Sequence, residues 1–387
     1  MYFVGIDISK YKHDCFITTE TGEVIKENLS FSNDKDGFQK LLDLLKSLNN
    51  NQEIRIGFEA TGHYHMNLML FLEENNFSFM EFNPALVKKF ISTQTLRRTK
   101  TDKADAIAIA SYLMYVDYKP HPKQFYHKYS LKSLCRSREA LAHQRSYYKV
   151  RLTNILDLTF PEYKPFFKNK FATTSLFILS KYKNAEKISK MKDYDSIRKF
   201  SRGKFTFPQF IKLKELAKDT VGTNCDIFNT QLDCMLSMLS DTDRQITILD
   251  DKISDIIKEL NPKSLGIRGI GYISCASIIS EFGNFSRFKS ADACVAFAGV
   301  EPSVIQSGTA SYSGRMVKHG SPHLRATIMN VADYVFMHEP IFTVYYYKKR
   351  DEGKSHRVAL SHVAKKLIRV IYKLETSNIN FDPAKLR

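Results

Sequence analysis

Apolar residues in the first part of the chain follow two alternating periods. Residues 2–8 form a short apolar run, and β-rich stretches follow near 14–20 and 23–31. Residues 34–49 carry Leu41, Leu42, Leu44, Leu45 and Leu48 at helical spacing behind Asn33 and Asp34, which suit a helix start. Between 53 and 59 the period is two, with Ile54, Ile56 and Phe58 on one side and Arg55, Gly57 and Glu59 on the other. A helix near 63–75, a strand near 77–82 and a helix opened by Pro84 complete the pattern. Strands first, then strands alternating with helices, predict an α/β layer domain over residues 1–125.

Residues 126–261 read differently. The stretch 130–158 is helical and basic, with Lys132, Arg136, Arg138, Arg145, Lys149 and Arg151. Residues 160–222 are rich in Lys and Phe and show no clear period. From 232 to 260, Leu232, Leu236, Leu239, Ile246, Leu249, Ile253, Ile256 and Leu260 advance in steps of three and four, with Asp243 where one apolar residue is due. That is a coiled-coil-like seam suited to dimerisation, or one helix of an ordinary bundle. Pro262 ends it. A last domain, 262–387, is rich in Gly and Ser to about 322 and helical to about 373.

Charge narrows the function classes. The net charge of +17 on 387 residues calls for a polyanionic partner, and nucleic acid is the commonest. No apolar stretch approaches the ~20 residues that span a bilayer. The N-terminal run lacks the basic start of a signal peptide, and the six scattered cysteines form no CxxC pair. The expectation is a cytoplasmic protein, nucleoid-associated when acting, without membrane, zinc site or disulfide framework.

Four carboxylates carry candidate chemistry. Asp7 lies inside the first apolar run, where burial is costly unless it is paired or bound to metal. Glu59 ends the alternating strand. Asp102 and Asp105 open an Ala/Ile-rich helix, three apart and so on one face. Hard oxygen ligands suit Mg2+, with Mn2+ as an alternative, and two such ions can stabilise both oxygens of a phosphoryl transfer. A strand acid, a second strand acid and a helical pair are what an RNase H-like sheet supplies. Each acid also has a plain reading: Asp102 as a helix cap, Asp105 in its first turn, Glu59 paired with Arg, Asp7 in a turn. The neighbouring Arg97, Arg98 and Lys100 are candidate phosphate ligands.

A second constellation lies near the C-terminus. Gly269-Ile-Gly271 resembles the turn of a helix-hairpin-helix, which presents backbone N–H groups to a phosphate, or is a plain turn that needs glycine. Ser303, Ser307, Ser311 and Ser313 follow among glycines, near Arg315, Lys318, His319, His323 and Arg325. On the residues alone this is a flexible phosphate-binding loop before it is a nucleophile site, since a serine needs an activating base or metal.

Gly5-Ile-Asp7, Glu59-Ala-Thr-Gly and Lys100-Thr-Asp102-Lys-Ala-Asp105 together resemble the N-terminal domain of the DEDD transposases, insertion-sequence recombinases related to the Piv-type pilin-gene invertases. Phe297-Ala-Gly-Val-Glu-Pro, Gln306-Ser-Gly and Lys318-His-Gly-Ser-Pro-His-Leu-Arg325 are similar to their second domain. The resemblance covers roughly residues 1–160 and 262–345. It implies an RNase H-like, Holliday-junction-resolvase-like first domain, a helical coiled-coil-like middle, and a mainly α transposase domain with a serine nucleophile, which the motif puts at Ser307. It also implies a structured bridge RNA as guide, element-end and target DNA as substrates, and dimers that assemble into a tetramer. Two other readings stand beside it: an RNase H-fold nuclease or resolvase using metal-activated water, and a non-catalytic nucleic-acid-binding protein.

Overall fold

A computed structural model describes residues 1–48, 52–59, 63–94, 102–120, 125–307, 310–316, 318 and 320–385. The chain divides into two compact units, Met1–Lys128 and Tyr129–Arg387.

The first unit is built on a five-stranded sheet. Strands β1 (Tyr2–Ile8), β2 (Lys12–Thr19) and β3 (Val24–Ser32) form an antiparallel meander, followed by α1 (Lys35–Ser47). Strand β4 (Ile54–Glu59), helix α2 (Met66–Glu74), strand β5 (Phe79–Phe82) and helices α3 (Pro84–Gln94) and α4 (Asp102–Tyr115) come next. The sheet order is β3-β2-β1-β4-β5, with β4 parallel to β1 and β5 parallel to β4.

Strand alternation sorts the side chains between two faces. Val4, Ile6 and Ile8 of β1 join Ile56 and Phe58 of β4 in a core with Phe38, Leu41 and Leu45 of α1 and Leu68 and Leu72 of α2. Helix α1 starts where its sequence signals it, the Asp34 carboxylate accepting from the Gly37 N–H at 2.8 Å. The opposite face of β1 carries Phe3, Gly5 and Asp7. There Phe3 packs with Phe82, Ile109 and Leu113, and Phe16 of β2 packs with Ala106 and Ala110 of α4.

The second unit is helical apart from one hairpin. Helix α5 (Phe125–Thr159) is followed by α6 (Tyr163–Phe166), α7 (Thr173–Tyr182), α8 (Ala185–Ser189), α9 (Tyr194–Phe200) and α10 (Phe207–Lys218). These five short helices occupy the aperiodic Lys/Phe-rich stretch. The aromatic side chains Phe160, Tyr163, Phe205 and Phe210 are buried in one core with Leu152 of α5, while Lys187 and Lys190 carry the charge outside.

Helix α11 (Asp226–Leu260) contains the expected seam, and α5 of the same chain fills it. Leu131 and Cys135 pack with Ile253 and Ile257, and Leu152 and Leu156 share a core with Leu232 and Leu239, so the two helices run antiparallel. Ile257 rather than Leu260 ends the buried row, and Leu260 is exposed. Asp243, the polar interruption, pairs with Arg145 at 3.3 Å, and Asp250 takes both guanidinium nitrogens of Arg138 at 2.8 and 3.3 Å. Several basic residues of α5 therefore serve packing rather than a free cationic face.

Helices α12 (Tyr272–Phe282) and α13 (Ala291–Ala298), strands β6 (Pro302–Ser307) and β7 (Ala310–Met316), and helices α14 (Pro322–His338), α15 (Pro340–Asp351) and α16 (His356–Ser377) complete the unit. Helix α16 is central, its Ala359, Val363, Leu367 and Ile371 buried in a core it shares with α13, α14 and α15. The segment expected to be a flexible loop is an antiparallel hairpin. Its Ser/Gly-rich composition hid the period of two, because Val304, Ile305 and Tyr312 are too few apolar residues to display it.

Gly5 sets the distance between α4 and the sheet. A Cβ there would overlap the Ala106 carbonyl oxygen and stand 2.5 Å from the Ala110 nitrogen. Both are backbone atoms and cannot turn aside, so Gly5→Ala is expected to cost about 3 kcal/mol, at the upper end for overpacking. The control Gly271→Ala, where a Cβ meets nothing within 4 Å, should cost far less. Urea unfolding midpoints check this, and equal midpoints would refute the close approach.

Candidate active site

The close approach at Gly5 brings the start of α4 to the end of β1. Asp7 follows Gly5 by two residues and lies on the α4 face of the sheet. Glu59 follows Gly57 by two on β4, and a Cβ at Gly57 would meet Phe82 and Leu113 on that same face. The parallel register pairs Ile6 with Phe58, so Asp7 and Glu59 occupy successive positions on adjacent strands. Asp102 and Asp105 form the acidic first turn of α4, where the positive end of the helix dipole favours them. Three elements thus deliver the four acids singled out in the sequence to one end of the sheet.

A fifth acid was missed. Asp14 of β2 lies directly across from Asp7 in the antiparallel register and is only 3% exposed. Its Oδ2 makes no hydrogen bond, and the Lys12 ammonium stands 3.4 Å away. Lys12 also reaches Asp102 at 3.0 Å, and these two carboxylates hold its ammonium above the usual lysine range. The available signal was a charged residue beside the apolar run Cys15-Phe16-Ile17, at the distance from Asp7 that a tight hairpin places opposite.

Crowding shows in the titration of Asp7. Burial first, then the carboxylates of Asp105, Asp102 and Asp14, push its carboxyl from the ordinary 3.8 to about 6. Among the described residues the side chains do not close into a ready-made metal cage. The donor set nevertheless fits a hard divalent cation. It consists of oxygen ligands, and the carboxylates of Asp105 and Asp102 repel that of Asp7.

The serine lies on the other unit. Ser307 ends β6, opposite Ala310, and Gln306 pairs with Ser311 and Val304 with Ser313. Ser303 is on β6 and Arg315 on β7. The side chains of 302–307 and 310–315, and residues 308, 309, 317 and His319, lie outside the described residues, as do Arg97, Arg98 and Lys100. Lys318 is exposed. Arg325 sits in the first turns of α14, whose N-terminus is capped by Ser321, and its Nη1 is buried without a hydrogen bond. His323 Nδ1 is 2.6 Å from a Glu139 carboxylate oxygen. Gly269 adopts φ +98°, and a Cβ there would stand 2.9 Å from the Val335 Cα, so glycine is required for packing on α14. Gly271 caps α12, after a 3-10 turn at Lys263–Gly266.

Comparison with known proteins bears on both regions. A transposase model of the DEDD type typified by IS110 matches residues 4–161, and a model described as transposase of the IS116/IS110/IS902 family matches residues 265–347. The chain belongs to this transposase family. It is 23% identical over 390 residues to the pilin gene-inverting protein of Moraxella lacunata, covering 98% of this chain and 97% of that one. It is 22% identical over 399 residues to an uncharacterized 44.8 kDa protein of insertion element IS116 from Streptomyces clavuligerus, covering 99% and 96%. This transposase is therefore a DNA-recombining enzyme with DNA as substrate.

Asp7 allows a test of the carboxylate cluster without substrate. An acid whose pKa is higher folded than unfolded holds its proton more tightly in the folded chain. The folded transposase accordingly loses stability as pH rises from about 4 through about 6, and the loss is complete above that range. At pH 8 without metal, Asp7→Asn should melt above wild type, by the equivalent of about 1–2 kcal/mol after solvent screening. The difference should close at pH 4. Equal melting temperatures at pH 8 would refute the combined effect of burial and crowding on Asp7.

Proposed function

We propose that this transposase cuts and rejoins DNA with the carboxylate cluster as a Mg2+ site and Ser307 as nucleophile. The observation that carries the reading is the convergence of Asp7, Glu59 and the Asp102–Asp105 turn at one end of the sheet. The strand order β3-β2-β1-β4-β5, with β2 antiparallel to β1 and β4 and β5 parallel, supports an RNase H-like, junction-resolvase-like domain.

Asp7, Glu59, Asp102 and Asp105 would hold the metal, Mg2+ or Mn2+, which supplies charge stabilisation to the phosphoryl group. The chain's own residues do the rest. Ser307 Oγ forms a bond to the scissile phosphorus as the bond to the 3′ oxygen breaks. The serine proton leaves and the 3′ oxygen takes one up. The 3′-hydroxyl of a partner strand then attacks the phosphoserine and returns a proton to Ser307. One phosphodiester replaces another, so no outside energy source is required. Arg97, Arg98, Lys100, Arg315, Lys318 and Arg325 would bind phosphates, with the Gly269–Gly271 turn offering backbone N–H groups at the start of α12.

The family resemblance extends the proposal to a bridge RNA guide and to dimers forming a tetramer, with action at the nucleoid. Tyr147 and Val150 on α5 and Met238 and Ile248 on α11 are exposed outside the filled seam and are apolar side chains that such an assembly would cover. No described helix is long and apolar enough to cross a membrane.

Element-end DNA, the flanking RNA and Mg2+ provide the test. Wild type should give a covalent protein–DNA adduct, and Ser307→Ala should give none. Asp7→Ala and Asp102→Ala should lower cleavage by about 100-fold or more, the scale of losing a transition-state stabiliser. Undiminished cleavage by Ser307→Ala without adduct would instead mean attack by water.

A further inference from the structure

We propose that Lys12 is a tethered counter-cation of the carboxylate cluster, its ammonium held by Asp14 and Asp102 until a divalent ion bound by the cluster displaces it. The inference rests on reading the cluster as a metal site.

Three observations carry it. First, Lys12 Nζ lies 3.0 Å from Asp102 and 3.4 Å from Asp14, joining the start of α4 to β2. Second, Asp14 is buried across the strand pair from Asp7, and its Oδ2 lacks a hydrogen bond. A buried carboxylate needs a cation, paired or bound, and Lys12 is the cation beside it. Third, the Lys12 side chain is 53% exposed, so it can swing away without opening a cavity. Lys12 and Asp14 are two apart on β2 and share one face of the strand, which fixes the tether.

The arrangement makes metal binding a competition. One ammonium supplies a single charge and cannot satisfy every acid, so the cluster remains crowded around Asp7. A divalent ion brings twice the charge and several coordination bonds. Its affinity is reduced by whatever Lys12 loses on leaving, because occupation by the ammonium and by the ion are thermodynamically linked. The structure thereby gains a folded metal-free state at the cost of weaker metal binding.

Manganese binding to the full-length protein tests this by calorimetry at pH 8, without DNA. Lys12→Met keeps the stem and removes the charge. It should bind Mn2+ about threefold to tenfold more tightly than wild type, the effect of one charge at a solvent-screened distance. Lys12→Arg should stay close to wild type. Without metal, Lys12→Met should melt below wild type, and Mn2+ should recover the difference. Equal or weaker Mn2+ affinity in Lys12→Met would overturn the proposal while leaving the metal site standing. No Mn2+ binding by wild type, or binding that Asp7→Asn leaves unchanged, would overturn the metal reading and this proposal with it.

Discussion

The backbone of α4 runs against β1 at Gly5, too close for any side chain at that position. The first unit depends on this contact, because the turn carrying Asp102 and Asp105 is the N-terminal turn of the same helix. Ala106 and Ala110 keep the helix near the sheet, and Phe16 closes over them. The approach is stabilised by apolar burial further along α4, at Ile109 and Leu113. The acids are thus forced together by packing that lies outside the site. A cluster assembled in this way can hold like charges that would otherwise separate.

The charge distribution follows a similar logic. In a chain with net charge +17, carboxylates crowd around Asp7. A phosphate backbone is repelled there unless a cation intervenes, so the basic surplus and the acidic cluster have different tasks. Part of the surplus is also unavailable to DNA. Arg136 donates to the buried Glu281 at 2.8 and 3.3 Å, with Lys132 at 3.6 Å, and Arg138 and Arg145 pair with α11. The bidentate pairs Arg136–Glu281 and Arg138–Asp250 fix the register of α5 against α12 and α11 more than they add stability. A count of basic residues along α5 therefore overstates its attraction for nucleic acid.

Legibility in the sequence tracked the length and regularity of each element. The alternation at Ile54–Glu59 and the leucines of α1 were readable because each repeats its period several times against one continuous core. The seam of α11 was readable for the same reason, but its occupant was not, since heptads say nothing about whether the partner helix is internal. The helices between residues 160 and 222 are too short to display a period, and their aromatic core is assembled from side chains of several elements. The hairpin of residues 302–316 failed for lack of apolar residues. Of the candidate site, the sequence marked Asp7 as a carboxylate inside an apolar strand, Glu59 at a strand end, and Asp102 and Asp105 at a helix start. Asp14 and Lys12 were not marked, because their relevance depends on strand register, and register is a property of the folded pair β1–β2.

The two units raise a question of mechanism that the carboxylates alone leave open. Cleavage by metal-activated water needs only the first unit, where all five acids reside. Water attack assigns no chemical step to the second unit, with its own core around α16 and a polar hairpin at residues 302–316. The proposed mechanism, which would store the phosphoester bond on a serine, gives the second unit a task. Rejoining without an energy source is the chemical problem of recombination, and a covalent intermediate solves it by conserving the bond. Under the proposed serine mechanism that bond would rest on Ser307, which ends β6 in the second unit.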